Sequence, residues 1–153
     1  MFALLVLACF AAFFITQRLK HTPTVLQSPE LTPRFSPTAA GPAREERISF
    51  KLAHADAVTV TILDGAGNTV ATLVRDWRVA RYKQFSLRWN GRRGEPRGYT
   101  IVRVPSRRAP GGVASVLPLN RGPLAGAGEY RVRVSLRRQH RTINYPRTFT
   151  LER

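Results

Sequence analysis

From residue 47 onward, apolar and polar side chains alternate with a period of two in several separate runs. The clearest runs cover residues 47–52, 57–63, 83–89 and 129–137. Because successive side chains of a strand point to opposite faces of a sheet, this alternation predicts half-buried antiparallel strands. The apolar positions of these runs form the predicted structural core, which consists of Ile48, Phe50, Val58, Val60, Ile62, Phe85, Leu87, Trp89, Tyr130, Val132 and Val134.

Turn signals separate these runs. Residues 64–68 read Asp-Gly-Ala-Gly-Asn and are typical of a hairpin turn. A second turn is predicted at 137–141, before a last strand that Pro146 interrupts. Because proline lacks a backbone donor, this last strand is predicted to lie at an edge or to carry a bulge. No useful helical stripe occurs after residue 20. About seven short strands therefore predict an all-β fold, an immunoglobulin-like antiparallel β-sandwich.

The first twenty residues are predicted to be a membrane anchor. Residues 1–15 contain no charged side chain, and Arg18 and Lys20 follow them. This length is at the short limit for a membrane-spanning helix, which needs about 20 residues. A cleaved signal peptide would require a basic start and a small-x-small cleavage site, and the sequence has neither. We therefore expect one N-terminal transmembrane helix over residues 1–20 in contact with membrane lipid.

Two arguments predict opposite orientations of this anchor in the membrane. The positive-inside rule places Arg18 and Lys20, and with them the basic body, in the cytoplasm. Basic residues upstream of Met1 would reverse that orientation.

Residues 21–34 contain Pro23, Pro29 and Pro33 and are predicted to form an extended stalk. The globular domain is then expected over residues 35–153.

Three sequence elements resemble a known family. They are the hairpin over residues 48–73, the Trp89-Asn90-Gly91 element, and the stretch from Pro123 to Val132 that contains Gly128-Glu129-Tyr130. Together they resemble the Ig-like domain of the flagellar hook-capping protein, over about residues 35–153. The resemblance implies an Ig-like sandwich of the kind found in bacterial envelope and secreted proteins. On this basis we expect a single-pass protein of the bacterial cell membrane whose domain lies outside the cytoplasm.

Two departures from that family pattern affect the predicted chemistry. The loop over residues 35–44, which holds carboxylates in relatives, has none here, so we expect no calcium site. Residues 92–127 form a long insertion with a basic, Pro/Gly-rich stretch at its middle. We interpret the insertion as an extra hairpin. It is either a binding element or a tolerated surface excursion.

Positive charge is concentrated in the second half of the chain. The 25 Lys and Arg residues exceed the 9 Asp and Glu residues, and residues 75–153 carry a net charge of +15 against +1 for residues 1–74. This imbalance suggests an anionic partner, although 22 of the basic residues are Arg and a compositional bias would have the same effect. The candidate polyanion contacts are Arg92, Arg93, Arg97, Arg107, Arg108, Arg137, Arg138 and Arg141.

The sequence contains no pattern typical of a catalytic site. One cysteine and three scattered histidines leave little material for a nucleophile or a metal cluster, so we predict no catalytic residue, metal or cofactor. We expect a non-catalytic envelope module with a structural, adhesive or assembly role, whose partner is an anionic polymer, a lipid headgroup or a protein. The alternative is a cytoplasm-facing basic module that binds nucleic acid or anionic lipid. The predicted anchor makes nucleic acid the less favoured partner.

Overall fold

The computed structural model describes residues 24–106 and 109–153, with ten strands and one short 3₁₀ helix at Gly41–Arg44. The strands are β1 (Leu26–Leu31), β2 (Arg34–Phe35), β3 (Glu46–Leu52), β4 (Asp56–Asp64), β5 (Thr69–Val79), β6 (Phe85–Trp89), β7 (Pro96–Ser106), β8 (Ala109–Asn120), β9 (Gly128–Leu136) and β10 (Arg141–Leu151). The predicted all-β class is confirmed for these residues.

The strands form two five-stranded sheets. The first sheet has the order β1-β3-β6-β8-β7, and the second has the order β2-β10-β9-β4-β5. Most neighbours are antiparallel, but β6 and β8 are parallel, and so are β2 and β10. The buried faces of both sheets contribute to one hydrophobic cluster. Burying each large apolar side chain of such a cluster contributes about 1.5–3 kcal/mol to folding.

All eleven residues of the predicted core are buried in this cluster, each with at most 8% of its surface exposed. Trp89 lies at the centre of an aromatic group. Its ring centroid is 5.6 Å from that of Phe35, 5.7 Å from that of Tyr130 and 6.0 Å from that of Phe149. Its indole N–H donates to the Arg92 carbonyl oxygen at 2.8 Å, so burying this polar atom leaves no unmade hydrogen bond.

The position of Pro146 agrees with the predicted bulge. The register between β10 and β9 shifts between Asn144 and Thr148, on either side of this proline. On its other side, β10 pairs with β2 only through Thr150 and Leu151. Among the described residues, no strand pairs with β10 beside Pro146 on this side, so the ladder tolerates the missing N–H of this proline.

The segment predicted as an extended stalk contains a strand in the structure. Leu26–Leu31 forms β1, which pairs antiparallel with β3 from Leu26 opposite Leu52 to Leu31 opposite Ile48. Leu26 is buried, so the packed domain begins before residue 35. Proline argued against a strand here, but β1 is an edge strand with an irregular register between Gln27 and Glu30, which accommodates Pro29.

The insertion over residues 92–127 contains the hairpin expected from the sequence. β7 and β8 pair antiparallel over most of their length, and Val116 of β8 lies opposite Leu87 of β6. The hairpin thereby extends the first sheet. Two expected features, the anchor over residues 1–20 and the basic pair Arg107 and Arg108, lie outside the described residues. Within the described ranges, no helix is long and apolar enough to cross a membrane.

Candidate anion-binding site

The outward side of β9 carries a row of arginines. Tyr130, Val132 and Val134 point into the core, so Arg131 and Arg133 point away from it, and Arg137 follows directly after the strand. Alternate residues of a strand lie about 6.7 Å apart, so Arg131 and Arg133 are neighbours on one face, and Ser135 separates them from Arg137. This face belongs to the second sheet.

A shallow depression of about 290 Å³ lies on this face, at the turn between β9 and β10. Its cationic groups are Arg137 and Arg141, and His140 lies between them. The other lining residues are Thr59, Ser135, Leu136 and Thr142. Two arginines and three hydroxyl-bearing residues therefore line one small concave surface.

Strand register brings the hydroxyl groups together. Thr59 of β4 lies opposite Ser135 of β9, and Ser135 lies opposite Thr142 of β10. The Ser135 and Thr142 hydroxyl oxygens are 3.4 Å apart. Three adjacent strands thus each contribute one hydroxyl to the same row.

The turn that supports the arginines is held by a buried carboxylate. Asp56 Oδ1 accepts from the backbone N–H groups of Arg138 at 2.8 Å and Ala57 at 2.7 Å. Asp56 Oδ2 accepts from the backbone N–H of Gln139 at 3.2 Å and from its side-chain amide at 3.1 Å. Burial alone would raise the pKa of Asp56, but these hydrogen bonds together lower it below its ordinary value. The charged carboxylate therefore fixes the turn between β9 and β10.

One acidic residue, Asp76, pairs with Arg137 and would compete with a bound anion for this arginine. Asp76 Oδ2 lies 3.3 Å from Arg137 Nη1, and about half or more of each side chain is exposed. The backbone N–H of Asp76 donates to Thr59 Oγ1 at 3.2 Å, which places this carboxylate beside the hydroxyl row. An exposed ion pair of this kind contributes at most about 1 kcal/mol, so an incoming anion can replace Asp76.

A second depression, of about 160 Å³, lies at the other end of the same face. Its lining includes Arg131 and Arg133 but also Asp64 and Glu129. Asp64 accepts backbone hydrogen bonds from Ala66 and Asn68 in the hairpin turn, which lower its pKa. The charges of this depression are mixed, so the depression at the β9–β10 turn is the better anion site.

The six predicted arginine contacts within the described residues do not form one surface. Arg137 and Arg141 line the depression, and Arg138 lies in the same turn. Arg92 and Arg93 are tied to the segment that leads into β9, through hydrogen bonds to Gly122 and Pro123. The length of β9, about 27 Å over eight residue steps, separates this segment from the turn. Arg97 lies on β7 of the other sheet.

The hydroxyl residues and His140 were not predicted as site residues. Thr59, Ser135 and Thr142 are ordinary outward positions of alternating strands, and only their register makes them neighbours. His140 has a positive φ of 47°, and its backbone N–H donates to the Arg137 carbonyl oxygen at 3.4 Å. A non-glycine residue in this conformation is uncommon and marks a tight turn. The sequence predicts the turn at 137–141, but it does not reveal which residues from other strands join the turn at the site.

Glu46 is a further buried acid that the sequence did not single out. Its side chain is fully buried, Oε1 accepts the backbone N–H of Thr32 at 2.8 Å, and Oε2 has no hydrogen-bond partner. Burial raises its pKa to about 8, although hydrogen bonds from the backbone of Thr32 and Arg47 oppose this shift. Glu46 is the first residue of β3, and its side chain contacts Thr32 in the segment after β1. We therefore assign it to the packing of this edge and not to the arginine turn.

The arrangement suits binding of an oxyanion. Arginine offers a planar fork of donors that matches phosphate, sulfate or carboxylate groups, and hydroxyl groups donate to the remaining oxygens.

In the described ranges, no group of three or more His, Cys, Asp or Glu side chains is placed to hold a metal ion. Comparison of the chain with protein-family models gives no match, and comparison with curated proteins gives none either.

Proposed function

We propose that the two sheets form an immunoglobulin-like sandwich. Three features support this assignment. The strands β10, β9, β4 and β5 are neighbours in one sheet, and β1, β3 and β6 are neighbours in the other, as in Ig-type order. The short β2 pairs parallel with the last strand. The Tyr130 hydroxyl, near the start of β9, donates to the Gly126 carbonyl oxygen at 2.6 Å, as in the tyrosine corner of such domains.

We further propose that the protein is a non-catalytic, membrane-anchored module of the bacterial cell envelope that binds an anionic polymer. The single observation that carries this proposal is the depression at the β9–β10 turn, which Arg137, Arg141 and three hydroxyl-bearing residues line. The resemblance to the hook-capping Ig domain supports an exported module. The apolar segment at residues 1–15 supports the anchor.

Binding to a defined polymer tests the proposed activity. The full chain in mild detergent is titrated with soluble poly(glycerol phosphate), with a neutral dextran of similar length as the ligand control. We expect binding that weakens with added salt, because exposed charge interactions are screened. The double variant Arg137→Gln/Arg141→Gln is expected to bind about tenfold more weakly.

The matched control for that experiment is Arg44→Gln/Arg121→Gln, which removes two exposed arginines away from the depression. Equal loss in both double variants would show that net charge, and not the site, governs binding. A parallel titration of the unaltered chain and of Arg137→Gln/Arg141→Gln with phosphatidylglycerol vesicles separates a polymer from a lipid surface as the source of phosphate, because insertion of the apolar segment is the same in both proteins. Vesicle binding that depends on the two arginines, without polymer binding, would contradict the polymer proposal.

Topology tests the envelope part of the proposal. A reporter that is active only outside the membrane is fused after Arg153, and a cytoplasmic reporter is fused in parallel. Activity of the outer reporter is the expected result. A silent outer reporter with an active cytoplasmic one would refute an exported domain.

That second outcome would favour the other candidate function. Arg18 and Lys20 directly follow the apolar segment, and the positive-inside rule then places the domain in the cytoplasm. In that orientation the same arginines would meet nucleic acid or the anionic inner leaflet. Binding to single-stranded oligonucleotides and to anionic vesicles distinguishes these two ligands.

A further inference from the structure

The four edges of the two sheets are protected to different degrees. β1 carries Pro29 and a register irregularity, and β2 is only two residues long. The first half of β5 is covered, because Gly94 exchanges backbone hydrogen bonds of 3.0 Å with Val70 and Thr72. Irregular, short or covered edges of this kind resist pairing with another chain. The second half of β5 is irregular, because its register against β4 shifts between Val74 and Trp77. Among the described residues, β7 is therefore the remaining regular edge.

β7 presents a regular, unpaired side. Residues Tyr99 to Val104 pair one to one with Pro118 to Val113 of β8. In the described residues, no strand lies on the other side of β7. In an antiparallel ladder, alternate residues direct their N–H and C=O groups away from the partner strand. This six-residue stretch therefore offers backbone donors and acceptors to solvent.

The exposed side chains of this stretch are partly apolar. Tyr99 and Ile101 are 40% and 56% exposed, although Ile101 lies opposite the buried Val116. Their face is thus the core-facing side of the sheet, continued past the point where the second sheet covers it. The Tyr99 ring makes an edge-on contact with Trp77 of β5, at a centroid distance of 5.2 Å. Two exposed arginines, Arg97 and Arg103, flank the apolar pair.

We propose that β7 is a docking edge for an extended strand of a partner protein, with acidic residues at both ends of a short apolar core. Backbone groups of such a strand would continue the first sheet, which is the usual basis of strand-addition binding. Its apolar side chains would cover Tyr99 and Ile101, and its carboxylates would meet Arg97 and Arg103. This surface is separate from the arginine depression and does not depend on the proposed function.

Charge complementarity argues for an acidic partner and against a second copy of this chain. In an antiparallel dimer, the register that sets Tyr99 against Ile101 also brings Arg97 of each copy next to Arg103 of the other. Like charges directly across a strand pair are destabilising. Arginines at a sheet edge normally prevent self-association in this way, and they leave an acidic strand as the compatible occupant.

A designed peptide tests this proposal on the full chain in mild detergent. The probe is Glu-Thr-Val-Thr-Val-Thr-Glu, labelled for fluorescence anisotropy, and amide hydrogen exchange of β7 is measured with and without it. We expect saturable binding together with slower exchange of alternate amides within residues 99–104. N-methylation of alternate peptide residues should abolish binding, because it removes backbone donors and leaves the side chains intact.

Charge swaps supply the matched controls. Arg97→Glu/Arg103→Glu is expected to bind the acidic peptide at least about tenfold more weakly and to gain affinity for the Lys-flanked version of the peptide. Arg121→Glu, an exposed loop change, should leave binding nearly unchanged. Binding that survives N-methylation, or that leaves β7 exchange unaltered, would overturn the proposal. Slow exchange in the free chain of those β7 amides that point away from β8 would also overturn it, and sedimentation would then distinguish a second copy from residues 1–23 as the occupant.

Discussion

Asp56 and Arg138 are 82 residues apart in the chain, yet the Asp56 carboxylate accepts the Arg138 backbone N–H at 2.8 Å. This contact joins the start of β4 to the turn between β9 and β10. The turn carries the arginines of the candidate site, so one buried carboxylate positions a basic surface. The stability of the fold and the geometry of the site are therefore linked at Asp56.

Replacing Asp56 with alanine is expected to destabilise the domain by about 1–3 kcal/mol, because several backbone and side-chain donors lose a buried acceptor. Urea denaturation measures this loss. The lowered pKa of Asp56 also sets a pH dependence. Its contribution is complete above the unfolded pKa, near 3.8, and is lost as pH falls through the still lower folded pKa. An Asp56→Ala variant with unchanged stability at neutral pH would contradict this role.

Glu46 should give the fold the opposite pH dependence, and Glu46→Gln should remove it. The folded pKa of Glu46 is about 8 and the unfolded value is 4.5, so the folded state holds the proton more tightly. Stability should therefore fall as pH rises from about 4.5 to 8, by about 1.4 kcal/mol for each unit of pKa difference. The glutamine variant should lose this slope. Denaturation midpoints at pH 5 and 8.5 test it, and equal slopes in both proteins would exclude a buried neutral Glu46.

Removing the charge of Asp76 should strengthen anion binding at the depression. Asp76→Asn frees Arg137 from its ion pair, and asparagine tolerates the positive φ of 49° at this position. We expect affinity for poly(glycerol phosphate) to rise about two- to fivefold. Glu152→Gln is the matched control, because Glu152 forms an exposed ion pair with Arg34 at the other end of β10. An equal gain in both variants would attribute the effect to net charge.

The two buried tyrosine hydroxyls should each contribute to stability. Tyr130 donates to the Gly126 carbonyl oxygen, and Tyr145 donates to the Ser49 carbonyl oxygen at 2.9 Å. Tyr130→Phe and Tyr145→Phe keep the rings but leave these carbonyls unpaired, at an expected cost of about 1–2 kcal/mol each. Tyr82→Phe is the control, since Tyr82 is 52% exposed and should change stability by less than about 0.5 kcal/mol. Thermal unfolding of the three variants distinguishes these outcomes.

Local pattern was sufficient to predict much of the fold. The alternation around Val58, Leu87 and Val132 depends only on neighbouring residues, and these side chains are buried. Pro146 indicated an edge position or a bulge for the same reason, because its missing N–H is a local property. Pro29 also lacks a backbone N–H, and on that ground its segment is predicted as an extended stalk, whereas the structure forms β1 there. The sequence could not reveal that β1 would lie at an edge, where a proline is tolerated.

The candidate site and the docking edge depended on long-range pairing. Arg137 was visible as a basic turn residue, but its neighbours Thr59 and Thr142 are set by the register of three strands. Tyr99 and Ile101 alternate like core residues, and only the order of the sheet leaves them exposed at its rim. A strand's pattern determines which side of it is apolar. Which strands become neighbours, and therefore which groups share a surface, is decided by packing between residues far apart in the chain.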